Sequence, residues 1–161
     1  MPALCEALHC DRCFLYLRKP ETHQGRVTHC YRTDPKWVDL TNADWIDEGN
    51  VADVDPLMAI AFRTDEIIYV SDVETASPDV INLAYEQEFF KHRALIHLPI
   101  YHDGKLYAIV EPSVFDQPHQ WTASDRAIMA ELQTRLPPLV ISYLELGGHE
   151  HSDPTAPNYP D

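Results

Sequence analysis

Apolar and polar positions along the chain fall into short alternating runs separated by helical spacings. Residues 2–9 (PALCEALH) place Pro2 in a first helical turn and set Leu4, Cys5 and Leu8 on one face. Residues 13–18 (CFLYLR) and 25–32 (GRVTHCYR) read as paired strands around a polar turn that holds Pro20 and Gly25. Residues 33–55 are polar and acidic and predict a long irregular excursion, with Trp37 and Trp45 as its inward anchors. A helix is expected over 55–64, with Asp55 as N-cap and Pro56 at its first position. Residues 66–72 (EIIYVSD) are strand-like. Residues 77–93 are amphipathic, with Val80, Leu83, Ala84 and Phe90 at helical spacing and Ser77 and Pro78 marking the start.

Residues 94–101 and 105–112 flank His102-Asp103-Gly104, a strong hairpin signal. Thr122 and Asp125 open a helix over 122–136 as a capping box with Asp in the usual Glu position. Pro137 and Pro138 are expected to interrupt it, with residues 138–146 resuming as helix at an angle. From Gly147 the chain has no apolar periodicity, so 147–161 is expected to be a flexible tail behind one domain over 1–146. The element order predicts one antiparallel sheet with helices packed on it, an α+β fold.

At 161 residues the chain can build its own core without disulfides or metal. The formal net charge of −14, from 26 acidic and 12 basic residues, disfavours nucleic acid and anionic membrane as partners. It leaves a basic protein partner as the compatible class. No apolar run reaches membrane-span length and the N-terminus lacks a signal-peptide layout, which points to a cytoplasmic protein with reduced cysteines.

Cys5, Cys10, Cys13 and Cys30 follow the C-x4-C-x2-C…C spacing of plant-type [2Fe–2S] ferredoxins. Three readings compete: small core residues, a thiolate iron–sulfur site, and a redox pair formed by Cys10 with Cys13 or Cys5. His97 shares a strand face with Leu95 and Pro99 and reads as a hydrogen-bonded structural histidine. His149-Glu150-His151 could offer weak metal ligands with no structured third partner. Asp39, Asp44, Asp47, Glu48, Asp53 and Asp55 lack the spacing of a calcium loop and read as a solvated face or a docking patch.

Residues 92–132 resemble the second half of a GAF domain of the phytochrome and cyanobacteriochrome branch. The resemblance rests on Arg93-Ala94, Pro99-Ile100, Gly104, Leu106, Pro118 and Trp121. Asp11-Arg12, Tyr16 and Gly25-x-Val27 resemble the opening hairpin of those domains, and Asp72 matches the aspartate after their third strand. The likeness implies a single GAF domain with a cavity between the sheet and the middle helices. Met58, Phe62, Leu83, Phe90, His97 and Ser113 are the pocket residues it suggests. Where the branch carries its bilin-attaching Cys-His pair this chain has Ile81-Asn82, so no covalent bilin is expected. Asp11-Arg12-Cys13-Phe14 matches the D-x-C-F tetrad of some bilin photoreceptors, but on the first strand rather than after the second.

The function expected from this resemblance is that of a stand-alone regulatory or adaptor protein of an oxygenic phototroph. It would bind a small ligand non-covalently or none, work through a protein partner, and could form a homodimer through its terminal helices. A thiolate iron–sulfur or redox sensor on the four cysteines is the alternative. A GAF-fold enzyme of the free methionine-R-sulfoxide reductase type would need cysteines within 50–95, where there are none.

Overall fold

The computed structural model describes residues 1–147. The expected tail, including His149 and His151, lies outside the described residues. The chain begins with α1 (Pro2–Leu8), β1 (Arg12–Lys19) and β2 (Gln24–Arg32). The excursion then carries a two-residue strand β3 (Ile46–Asp47) and the short helices α2 (Val51–Val54) and α3 (Pro56–Ala61). After β4 (Ile68–Val70) come a 3-10 turn (Val73–Thr75), α4 (Leu83–Phe89), β5 (Ala94–His102), β6 (Lys105–Val114) and α5 (Ala123–Glu145). The strands form one antiparallel sheet in the order β3-β2-β1-β6-β5-β4. This is the expected α+β architecture.

Strand alternation sorts the side chains into two layers. Cys13, Leu17, Ala94, Ile96, Leu98, Ile100, Ala108 and Val110 face α1 and α5, where they pack with Leu8, Met129 and Val140. The opposite face carries Tyr16, Leu95, Leu106 and Ile109 against Leu57, Met58 and Ala61 of α3 and Val73 and Ile81 of the following loop. Gly25 permits one close approach. A Cβ there would sit 1.7 Å from the Tyr16 hydroxyl oxygen, and the bare backbone lets that phenol pass across β2 to donate to Glu48 Oε1 at 2.7 Å.

Caps follow the sequence closely. Asp55 accepts from the Leu57 and Met58 amides, and Thr122 and Asp125 complete the expected capping box. Two expectations need correction. The helix expected over 77–93 is confined to Leu83–Phe89, because Ser77 O takes the amides of Val80 and Ile81 in a turn and Asn82 then caps the helix. Pro137 and Pro138 do not interrupt α5, which runs unbroken from Ala123 to Glu145. The prolines forgo the amides that would meet the Gln133 and Thr134 carbonyls. Leu136 and Val140, on either side of them, are held against the core, so tertiary packing carries the helix through. Trp37 and Trp45 are half-buried. Trp37 stacks on Phe115 at 4.2 Å, and Trp45 lies under Lys19 and Arg26.

Candidate functional site

A cavity of about 190 Å³ lies between the sheet and the middle helices. Antiparallel pairing sets Phe14 beside Glu111 and Tyr16 beside Ile109, which makes the floor. His97 of β5 joins them. Asp55 and Met58 enter from α3, and Tyr85 and Phe90 from α4 and the residue after it. The walls are mostly aromatic and aliphatic, with the polar groups gathered at one end.

Those polar groups belong to a buried relay. Glu111 Oε2 meets His97 Nδ1 at 2.7 Å, and its Oε1 lies 3.8 Å from His92 Nε2. His92 Nδ1 lies 2.7 Å from Glu86 Oε1, which also accepts the His92 amide. Arg12, with no exposed surface, donates Nη1 to the Val38 carbonyl and places Nη2 on His92 Nε2. Its guanidinium sits 4.8 Å from the Phe115 ring centroid and 5.7 Å from that of Phe14. Buried charges persist only when paired, and this chain of contacts pairs them.

The two carboxyls at the cavity respond oppositely. Burial pushes Asp55 up to about 6, Glu111 adds to the rise, and His97 with the Leu57 and Met58 amides only partly offsets it. Burial also acts to raise Glu111. The His97 hydrogen bond and the His92, His97 and Arg12 charges outweigh it, so Glu111 sits below the usual carboxylate range. An ionised Glu111 only accepts, so His97 Nδ1 is the donor in this contact. Nε2 of His97 is left buried and without a hydrogen-bond partner at the cavity wall.

The expected pocket residues are only partly gathered. Met58, Phe90 and His97 line the cavity. Phe62 lies beyond α3, 4.7 Å from the Arg18 guanidinium carbon, beside a separate open groove of about 460 Å³. Leu83 is on the surface near Arg93, at a third depression. Ser113 is fully buried at the end of β6 beside Arg12, with its Oγ unpartnered, and does not reach the cavity. Asp55 and Tyr85 fall within 55–62 and 80–97, the segments the resemblance implies for a pocket wall, whereas Glu111 and Phe14 were not expected as pocket residues. The available signal was Glu111, a charged residue at an inward register position of the apolar strand KLYAIVEP.

The four cysteines are not brought together. Cys5, Cys10 and Cys13 share the α1/α5 layer. Cys30 pairs with Phe14 in the β1–β2 register and so lies on the cavity side of the sheet, near Arg12 and Asp39. A four-thiolate cluster would require sulfurs on both faces of one sheet. Among the described residues, no group of three or more His, Cys, Asp or Glu is placed to hold a metal ion. The acidic excursion is also not wholly solvated. Glu48 is an internal ion-pair partner of Arg18 at 2.9 Å, and Asp55 caps α3 inside the cavity wall.

This architecture defines the class. The GAF domain family model matches residues 1–136, and the chain belongs to that family. Among solved structures it is similar to the photoproduct state of GAF3 from Slr1393 of Synechocystis sp. PCC6803. The two share 21% identity and a TM-score of 0.67, over 92% of this chain and 94% of that one. It is also similar to the blue-light absorbing form of the PixJ GAF domain of Thermosynechococcus elongatus, at 20% identity and TM-score 0.63, over 93% and 89%. The GAF domain of a phosphoenolpyruvate-protein phosphotransferase from Coxiella burnetii matches at 18% identity and TM-score 0.66, over 91% and 80%. No curated protein matches the chain. No helix among the described residues is long and apolar enough to cross a membrane.

Proposed function

We propose that this GAF domain is a regulatory sensor that binds a small planar heterocycle non-covalently and signals through a protein partner, without catalysis. The observation that carries the reading is the cavity itself. Aromatic walls from Phe14, Tyr16, Tyr85 and Phe90 suit a flat ligand, and His97 Nε2 with the Asp55 carboxyl offer polar contacts at one end. Its 190 Å³ falls below the roughly 300–1,000 Å³ of drug-sized sites, so a one- or two-ring ligand fits and a tetrapyrrole does not.

Thermal unfolding in the presence of imidazole, indole, adenine or biliverdin tests the reading. At least one of the first three is expected to raise Tm, by roughly 2–4 °C per kcal/mol of binding stabilisation for a chain of this size. Biliverdin should leave Tm unchanged and give no coloured adduct. His97→Ala should abolish the response. A shift with biliverdin alone, or with none of the four, overturns the proposal.

A further inference from the structure

Away from the cavity, the end of α1 holds a second arrangement. His9 adopts φ 51° and ψ 42°, the left-handed conformation that terminates helices. The Cys10 amide donates to the Cys5 carbonyl at 3.0 Å and the His9 amide to the Glu6 carbonyl at 3.3 Å. These two bonds make a Schellman turn, the motif that brings the side chains of its first and sixth residues into contact. Here those residues are Cys5 and Cys10. Cys13, the second residue of β1, packs in the same core cluster as Cys5 and Cys10. Three thiols therefore share one layer of the core, where most proteins place aliphatic side chains.

We propose that Cys5 and Cys10 are an oxidation site that hydrogen peroxide converts to an intramolecular disulfide, with Cys13 as the adjoining reduced thiol. Of the three, Cys5 is the thiol held below the ordinary range, by the neighbouring Cys10 and Cys13 thiols, while Cys10 and Cys13 are pushed up by Cys5 and by burial. The Cys5 thiolate attacks one peroxide oxygen, breaking the O–O bond to give a sulfenic acid and hydroxide, which leaves as water after protonation. Cys10 sulfur then displaces hydroxide from Cys5 sulfur and gives up its own proton, forming the S–S bond and a second water. Two electrons pass from the two thiols to the peroxide. Both sulfurs are buried, so reaction requires α1 to lift. A seven-residue helix is too short to be stable alone and is held by docking, which makes it a natural unit of local opening.

The full chain, treated with stoichiometric hydrogen peroxide, alkylated and digested with trypsin, provides the test. Cleavage after Arg12 leaves Cys5 and Cys10 in the peptide 1–12 and Cys13 in the peptide 13–18. The expected product is the 1–12 peptide lighter by two hydrogens, with Cys13 and the more accessible Cys30 still alkylated. A cross-link between 1–12 and 13–18 overturns the pair assignment. Oxidation of Cys30 while 1–12 keeps both free thiols overturns the site. Cys10→Ser should instead trap a dimedone-reactive sulfenic acid on Cys5; circular dichroism checks its fold, and the wild-type peptide map stands without it.

Discussion

The two faces of the sheet are built to different rules. Toward α1 and α5 the buried residues are apolar or thiol side chains, from Leu17 and Ile96 to Met129, apart from Asp125 in the α5 cap. Toward the middle helices the burial includes Arg12, Glu86, His92, His97 and Glu111, and the packing leaves a cavity. Apolar burial stabilises without needing particular partners, so the first face can tolerate variation in shape at a graded cost. Buried charge stabilises only while every partner is present, so the second face fails abruptly when one is removed. The comparison separates a face that holds the fold from a face that holds a site.

The largest effect should come from breaking the charged face. Glu111→Ala removes the acceptor of His97 and the carboxylate facing His92, leaving the buried Arg12 charge uncompensated, and should cost about 3–5 kcal/mol in urea unfolding. On the apolar face, Leu98→Ala should cost about 3 kcal/mol, whereas Phe90→Ala, at the half-buried cavity wall, should cost less. Equal losses for these two would mean that the cavity is packed as tightly as the core.

A smaller contrast lies in pH dependence. The folded pKa of Asp55 is raised to about 6 from the ordinary 3.8, so the native state holds this proton longer than the unfolded chain. Its contribution therefore favours folding at low pH and declines as pH rises from about 4 to 6. Glu111 acts with the opposite sign: its folded value is lowered, so its contribution is present above the unfolded pKa and lost as pH falls. Asp55→Asn, which keeps a good N-cap, should remove the decline between pH 4 and 6 and make the protein relatively more stable at neutral pH. An unchanged stability profile for this variant would show that Asp55 is not desolvated. The smallest expected change is Thr122→Ala, which removes the α5 cap at about 1 kcal/mol and should leave ligand response and pH profile alone.

The order of elements was legible from local pattern, and the exceptions have physical causes. Val80, Leu83 and Phe90 carry helical spacing, yet Ile81 is drawn into the cluster with Leu95 and Val73, and the backbone before Asn82 turns instead. Pro137-Pro138 reads as a break because the lost amides are a local cost, while the packing that keeps α5 whole comes from distant strands. His97, Met58 and Phe90 were found through the family resemblance. Glu111 was missed because an inward glutamate on an apolar strand gains its meaning only from Arg12, His92 and His97.

Strand and helix positions, caps and hairpins follow from contacts within a few residues, and so were written in the amino-acid order itself. The division of the cysteines between two faces, the burial of Glu48 and Asp55, and the cavity were decided only on assembly. A strand's register sets which distant side chain stands opposite, and a one-residue shift would exchange the faces.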